Sequence, residues 1–120
     1  MRVNRHAQGA QAEAQAAAYL VGKGMRLLTQ NLRLPGGEVD LVLEDGAYTV
    51  FVEVKQRRSA RYGTGREAVD ARKQRRICQV AVQYLVAQGR YGVPVRFDVV
   101  EIQNRCITHI PNAFPFVPPV

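Results

Sequence analysis

The distribution of apolar and polar residues along the chain predicts two helices and several strands. Residues 4–23 are rich in Ala and Gln and contain no proline, which favours a helix that ends near Gly22 and Gly24. A second stripe of apolar residues with helical spacing extends over residues 66–88. Strands are predicted over residues 25–34, 38–44, 47–55 and 95–103, with a short last strand over residues 106–110.

The order of these elements defines a fold class. An α-β-β-β-α-β order predicts an α/β domain in which one mixed sheet is flanked by helices. The sequence contains no internal repeat and no linker, so residues 1–110 are interpreted as a single domain. Residues 111–120 (PNAFPFVPPV) are too rich in proline for regular structure and predict an extended tail.

The two strands around Asp45-Gly46 form the most informative segment. This dipeptide predicts a hairpin with a type I′ turn, which would set Glu38 opposite Glu53 and Asp40 opposite Phe51. One face of the hairpin would then be aliphatic core, formed by Val39, Leu41, Leu43, Val50, Val52 and Val54. The other face would collect the charged residues Glu38, Asp40, Glu53 and Lys55.

Acidic side chains on neighbouring strands repel each other unless a cation lies between them. Carboxylate oxygens suit a hard divalent cation such as Mg²⁺ or Mn²⁺, so Asp40 and Glu53 are candidate metal ligands. Lys55 follows on the same face, where it could position a water or stabilise charge on a phosphate. The same pattern also fits an amphipathic hairpin whose polar face is solvated.

Glu13 on the first predicted helix is a further candidate. It shares a helix face with Ala10, Ala17 and Leu20, and we expect this face to meet the sheet. A carboxylate on a packing face needs a partner, and a bound cation would be one. A hydrogen-bonded or solvent-reaching glutamate on an Ala-rich helix is the alternative.

The charge balance predicts the class of partner. Seventeen Lys and Arg against ten Asp and Glu leave a net charge of +7 and a pI of about 10, which favours a polyanion such as nucleic acid. The first half of the second helix is basic although positive charge there opposes the helix dipole. Lys73 shares the stripe of Val69 and Ile77 and is predicted to point toward the sheet. The candidate nucleic-acid-binding residues are Arg57, Arg58, Arg72, Lys73, Arg75 and Arg76, and a solvated basic face is the alternative.

Other site classes fit the sequence poorly. Cys78 and Cys106 are the only cysteines, and with the isolated His6 and His109 they form no zinc-binding spacing. No apolar stretch approaches the roughly 18 residues of a membrane span, and the N-terminus lacks the apolar core of a secretory signal. We therefore expect a cytoplasmic protein without a membrane partner.

Several motifs in combination resemble the YraN family. They are GEVDL at residues 37–41, FVEVK at 51–55 with Arg57, VDARK at 69–73, RFDVV at 96–100, the segment 9–20 with Glu13, and Asn31. The likeness extends over residues 9–102. That family is in turn similar to archaeal Holliday-junction resolvases and the wider PD-(D/E)xK nuclease superfamily, which implies a restriction-endonuclease-like core.

The resemblance implies a site and an activity. By this likeness Asp40 is the motif aspartate, Glu53-Val54-Lys55 is the ExK element, and Glu13 is the acidic residue of the first helix. The backbone carbonyl of Val54 would be a further metal ligand. The implied activity is a Mg²⁺- or Mn²⁺-dependent endonuclease that hydrolyses phosphodiester bonds in DNA, including branched or structured DNA. A resolvase would need two sites and hence a homodimer, but the sequence shows no clear dimer face.

Two other functions are compatible with the same residues. The first is a catalytically silent module that binds nucleic acid on a nuclease fold. The second is an adaptor that binds a partner through the proline-rich tail. The intact set of Asp40, Glu53 and Lys55 argues against a silent site, because such a site has no need for acids that repel each other.

Overall fold

The computed structural model describes residues 5–57 and 69–116. Within them lie α1 (Arg5–Gly22), β1 (Arg26–Leu34), β2 (Gly37–Asp45), β3 (Tyr48–Arg57), α2 (Ala71–Ala87), β4 (Val95–Gln103) and β5 (Cys106–Ile110). The predicted element order and the mixed α/β class are confirmed, and the arrangement is consistent with a restriction-endonuclease-like core.

The five strands form one sheet in the order β1-β2-β3-β4-β5. All neighbouring pairs are antiparallel except β3 and β4, which run parallel because α2 lies in the connection between them. Each helix covers one face. The α1 face buries Leu41, Leu43, Val50 and Val52 with alanines of the helix, whereas the α2 face buries Val42, Phe51, Phe97 and Val99. Two separate cores therefore sandwich the sheet.

The hairpin between β2 and β3 differs from the prediction in its register. The turn residues are Gly46-Ala47, and Asp45 remains in the strand, where its carboxylate lies 2.9 Å from Arg96. Only Gly46 has a positive φ, 58°, which fits a type II′ turn rather than type I′. Leu41 therefore pairs with Val52, and Asp40 and Glu53 are the next positions along the two strands. Each strand shifts by one residue, so Leu41 and Leu43 still share a face with Val50 and Val52.

The predicted one-sided hairpin is also wrong. Leu41, Val42 and Leu43 are all fully buried, because α1 covers one face and α2 covers the other. Val39 packs with Val42 on the α2 side and does not join Leu41 in the aliphatic face. This change of face occurs between the pairs Gln30–Leu41 and Leu32–Val39 of β1 and β2. Asn31 of β1 lies between these pairs, and its φ is 53°. A residue in this left-handed region interrupts the regular alternation of a strand.

The two helices are anchored differently. In α1 the predicted packing residues Ala17 and Leu20 are buried, together with Ala12 and Ala16, whereas the predicted Ala10 is exposed. In α2 the carboxylate of Asp70 accepts a hydrogen bond from the backbone N–H of Lys73 at 2.9 Å and caps the helix. Neither α1 nor α2 is long and apolar enough to span a lipid bilayer.

The first residues of the predicted tail pack on the sheet. The ring of Phe114 is buried and stacks on Phe97 with centroids 5.2 Å apart, and Phe116 stacks on the same ring at 6.1 Å. The backbone N–H of Ala113 donates to the carbonyl of Phe97 at 2.7 Å. Residues 111–116 thus contribute to the core on the α2 side.

Candidate active site

A cleft of about 1030 Å³ opens where the N-terminal halves of both helices meet the beginning of β2 and the C-terminal half of β3. Its lining comprises Gly9, Ala12 and Glu13 of α1; Arg33 and Leu34 of β1; Gly37, Glu38 and Asp40 of β2; Glu53, Val54 and Gln56 of β3; and Asp70, Arg72, Lys73, Arg76 and Ile77 at and within α2. The structure thus brings together Glu13, Asp40, Glu53 and Val54, which the sequence predicted as one site.

Asp40 is held at the point where the pairing of β2 with β3 ends. Its Oδ2 accepts a hydrogen bond from the backbone N–H of Val54 at 2.8 Å, so the carboxylate takes the place of a strand partner. Burial and the nearby charge of Glu53 raise the pKa of Asp40 from 3.8 to about 7, against the lowering effect of the Val54 N–H. The acid–acid proximity expected from the sequence is therefore present.

Glu53 is buried, with 7% of its surface exposed, and it lies between two lysines. Its Oε1 is 2.6 Å from Nζ of Lys73 and 3.4 Å from Nζ of Lys55. The prediction that Lys73 points from α2 toward the sheet is confirmed. Burial opposes the charge of Lys73, but its contact with Glu53 outweighs this effect and the pKa of Lys73 is raised. Burial and the neighbouring Lys73 lower the pKa of Lys55.

Glu13 reaches the cleft from the edge of the α1 packing face. Burial raises the pKa of Glu13, as do the charges of Glu38 and Glu53, while a hydrogen bond with the Asn31 side chain lowers it. Asn31 is a residue to which the sequence reasoning gave no role. The signal available was an asparagine within a strand, since asparagine tolerates positive φ better than other non-glycine residues.

The donor atoms of the cleft can be compared with what a metal ion requires. Among the described residues, no three or more His, Cys, Asp or Glu side chains are gathered closely enough to form a metal site from side chains alone. Mg²⁺ in proteins commonly has one or two carboxylate ligands and completes its shell with water and substrate phosphate. The carboxylates of Asp40 and Glu53 and the carbonyl of Val54 fit this pattern, and Glu13 fits a contact through water.

The predicted basic residues separate into groups. Arg72, Lys73 and Arg76 line the cleft, whereas Arg75 is exposed and outside the cleft lining. Arg57 lies on β3, and its Nε is buried without a hydrogen-bond partner among the described residues. Arg58 lies outside the described residues. The lining adds Arg33, a cation that the sequence reasoning did not select.

The RFDVV motif lies away from the cleft, and its polar side chains connect neighbouring segments of the fold. Asp98 is buried, and its carboxylate accepts two hydrogen bonds from Arg96, at 2.9 and 3.0 Å. The same carboxylate contacts Nε2 of His109 at 2.7 Å and accepts from the backbone N–H of Asn112 at 2.9 Å. These contacts tie β4 to β5 and to the segment that follows it.

The residues that form the cleft lie within a segment shared with known proteins. Residues 12–102 match the family described as "Uncharacterised protein family UPF0102", also known as YraN. The chain belongs to this family. A UPF0102 protein of Symbiobacterium thermophilum is 48% identical over 79% of this chain and 80% of its own length. UPF0102 proteins of Persephonella marina (40% identity over 89% and 92%) and Deinococcus radiodurans (45% over 84% and 84%) are also similar.

The UPF0102 match includes every carboxylate that lines the cleft, from Glu13 to Asp70. It also includes both lysines that contact Glu53 and ends at Ile102 of β4. The strand β5 and the packed segment 111–116 lie beyond the matched residues. The family assignment therefore rests on the part of the chain that builds the cleft.

Proposed function

We propose that this UPF0102 protein is a metal-dependent endonuclease that hydrolyses phosphodiester bonds in DNA, with branched or structured DNA as its preferred form. The observation that carries the proposal is the position of Glu53. This buried carboxylate lies beside Asp40 and contacts two lysines, in a cleft with a basic wall. In metal-dependent phosphodiester hydrolysis, neighbouring acids hold the metal and nearby cations stabilise the charge on the phosphate.

The metal is Mg²⁺ or Mn²⁺. Asp40, Glu53 and the carbonyl of Val54 would hold it, with Glu13 acting through water. When bound, the metal would lower the pKa of a water molecule and neutralise charge on the phosphate. The hydrogen bond from the Val54 N–H fixes the orientation of the Asp40 carboxylate. Asp40 is therefore oriented before a metal ion or substrate binds.

The two lysines contribute positive charge next to the scissile phosphate. Lys55 and Lys73 approach the same oxygen of Glu53 from β3 and from α2. An ammonium group in a partly buried site stabilises developing phosphate charge more strongly than one in water does. Lys55 has the lowered pKa of the pair, which suits a residue that orients the attacking water.

The cleft wall supports a nucleic-acid substrate. Arg72 and Arg76 are exposed on the same side of α2 as Lys73, and guanidinium groups bind phosphates independently of base sequence. The support for branched DNA is the likeness to Holliday-junction resolvases. Paired cleavage of a four-way junction would require a second copy of this chain, arranged around a two-fold axis.

One contact favours the rival function, a silent nucleic-acid-binding module. Lys73 lies 2.6 Å from Glu53, and no third acid among the described residues completes a side-chain metal site. A glutamate neutralised by lysine would hold α2 against the sheet without binding metal. The neighbouring Asp40 argues against this role, because a second buried acid beside Glu53 costs stability that a structural lysine–glutamate contact does not require.

A cleavage assay separates these functions. Labelled single-stranded, duplex, flap and four-way-junction DNA, with RNA of equal length, would be incubated with Mg²⁺, Mn²⁺ or EDTA. We expect metal-dependent cutting that Asp40→Asn and Glu53→Gln abolish. Glu44→Gln is the matched control, since Glu44 lies on β2 with Asp40 but contacts Arg26 and Arg90 outside the cleft.

The outcome that contradicts the nuclease is tight, salt-sensitive binding without cutting of any substrate. Cutting that survives both Asp40→Asn and Glu53→Gln would indicate a contaminating nuclease and would also count against the proposal. Cutting of RNA alone would keep the chemistry and change the substrate class.

A further inference from the structure

The turn between β1 and β2 is docked directly on α2. Gly36 has a φ of 99°, and a Cβ atom on it would lie 2.5 Å from the Gln79 side chain. A Cβ atom on Gly37 would lie 3.2 Å from the carbonyl oxygen of Arg76. The amide of Gln83 donates to the carbonyl of Pro35 at 2.7 Å. Two glycines and one hydrogen bond thus allow the turn to approach the helix closely.

This close approach brings two arginines from distant parts of the chain to the same cleft. Arg33 precedes the turn on β1, Arg76 lies on the helix beneath it, and both line the cleft that contains Asp40. The Arg33 side chain is 72% exposed, and its ion pair with Glu38 at 3.3 Å is a surface contact. Such pairs contribute little to stability, so structure alone does not account for the guanidinium at this position.

The cleft is lined by charges of both signs. The acids Glu13, Glu38, Asp40, Glu53 and Asp70 would repel a polyanion, whereas Arg33, Arg72, Lys73 and Arg76 would attract it. Lys73 is engaged with Glu53. Arg33 pairs with Glu38 on the surface, a weak contact that a phosphate can replace, so Arg33 and Arg76 can bind a phosphate other than the one at the acids.

We infer that Arg33 and Arg76 form a second phosphate-binding subsite on the turn side of the cleft. The inference rests on the proposed function and specifies its substrate class. A strand that carries a phosphate next to the scissile diester binds both subsites, whereas an isolated diester binds only the acidic one. The preferred substrate is therefore a polynucleotide strand and not an isolated phosphodiester.

The test measures binding and needs no cleavage. Fluorescence anisotropy of a labelled single-stranded oligonucleotide would be followed in EDTA over a range of NaCl concentrations, with wild type, Arg33→Ala, Arg76→Ala and Arg26→Ala. Arg26 is the matched control, because it is an exposed β1 arginine paired with a β2 glutamate, Glu44, outside the cleft. Each variant loses the same charge. Thermal melts would verify that all four proteins are folded.

We expect Arg33→Ala and Arg76→Ala each to weaken binding by about three- to tenfold and to reduce the slope of log K against log [NaCl] by about 0.7, the value for one phosphate contact on a single strand. Arg26→Ala should stay within about twofold of wild type, because it changes only the long-range field. Arg33→Lys should recover part of the lost affinity, since lysine keeps the charge without the planar fork.

Equal losses in Arg33→Ala and Arg26→Ala would overturn the inference, since they would show that net charge alone decides binding. This result is independent of the nuclease assay. If the protein cuts DNA but Arg33→Ala and Arg26→Ala bind the oligonucleotide equally well, it has the proposed function without this subsite. A protein that cuts nothing but shows the Arg33 effect has the subsite on a silent fold.

Discussion

Nζ of Lys73 on α2 lies 2.6 Å from Oε1 of Glu53 on β3. The helix that connects the parallel strands thus places a cation against a carboxylate in the middle of the first of them. Lys55 contacts the same oxygen from its own strand at 3.4 Å. One glutamate therefore couples the position of α2 to the chemistry expected in the cleft, and substitutions there should change stability and activity together.

Replacing Lys73 should lower both the stability of the protein and its rate of cleavage. Lys73→Met leaves the buried Glu53 with Lys55 as its remaining cation partner in the described site. We expect a stability loss of about 1–2 kcal/mol, below the value for a fully buried pair because 36% of the Lys73 side chain is exposed. Single-turnover cleavage should fall by about 10- to 100-fold through lost charge stabilisation. Urea denaturation and quenched-flow assays would measure these effects.

Lys23→Met is the control for this substitution. Lys23 is exposed at the end of α1, where it contacts His109 at 3.0 Å and lies outside the cleft lining. Its loss should leave cleavage within about twofold of wild type, since it touches none of the cleft acids. Equal losses of cleavage in the two variants would contradict the role of Lys73.

The raised pKa of Asp40 predicts a pH-dependent stability. The pKa rises from 3.8 to about 7 in the folded, metal-free protein, first through burial and then through Glu53. Below about pH 4 the carboxyl is protonated in both states and its contribution is fully present. Between about pH 4 and pH 7 the unfolded state is ionised while the folded state keeps its proton, so this contribution falls progressively and is lost once the pH has risen through 7. Asp40→Asn should therefore exceed wild type in stability by about 2–4 kcal/mol at pH 8, and the difference should shrink toward pH 4.

Urea denaturation of both proteins in EDTA at pH 4, 6 and 8 would measure this difference. Glu44→Gln provides the contrast, because the contact with Arg90 lowers the pKa of Glu44. Its contribution is present at neutral pH and is lost as the pH falls, the opposite direction to that of Asp40. A constant gap between wild type and Asp40→Asn at all pH values would contradict the raised pKa.

A glycine pair separates backbone strain from close packing. Gly36 and Gly46 both have positive φ, 99° and 58°, but only at Gly36 would an added Cβ meet a neighbour, the Gln79 side chain. Gly46→Ala should cost about 1–2 kcal/mol from the backbone alone. Gly36→Ala should cost more, because a φ of 99° lies further from the left-handed region that alanine can adopt, and the Gln79 side chain must also move aside. Gln79→Ala in the same chain should recover only a small part of this cost, because the contact is with the flexible end of an exposed side chain. Thermal denaturation of the single and double variants measures each part, and equal costs at the two glycines would contradict the greater backbone strain at position 36.

Substitutions of Asn31 test whether the backbone conformation of β1 at this residue determines the position of Asp40 on β2. Asn31→Gly keeps the φ of 53° accessible but removes the side chain that contacts Glu13, whereas Asn31→Val disfavours the backbone itself. We expect Asn31→Val to lose about 1–3 kcal/mol of stability and most of its cleavage. Asn31→Gly should retain stability to within about 1 kcal/mol and cleave at an intermediate rate. Greater damage from glycine than from valine would show that the side chain, and not the backbone, is what matters.

Much of this fold could be predicted from local patterns. The last two strands match their predicted bounds, β4 at Val95–Gln103 and β5 at Cys106–Ile110. Each is a short run of β-favouring residues between turn-forming segments, and such runs need little tertiary information. The register at Gly46 was wrong because Asp45 extends β2, where it pairs with Tyr48 and contacts Arg96 of β4, a partner that no local pattern indicates.

The candidate site also has features that local patterns predicted and features that depend on the tertiary structure. The spacing of Asp40, Glu53 and Lys55 on adjacent strands predicted their proximity, because strand geometry and a short turn leave few alternatives. The sequence did not indicate that Val39 would turn to the α2 side. This depends on the left-handed backbone of Asn31 and on helices that cover both faces of the sheet.

The sequence by itself determined the elements, the pair of acids on neighbouring strands and the basic character of α2. Those features follow from local periodicity and charge, which act over a few residues. Only the tertiary structure decided that Lys73 contacts Glu53 and that Arg33 joins Arg76 in one cleft. The packing of α2 against the sheet and of the glycine turn against α2 sets these contacts. Such packing depends on shape complementarity between segments far apart in the chain, which no local pattern encodes.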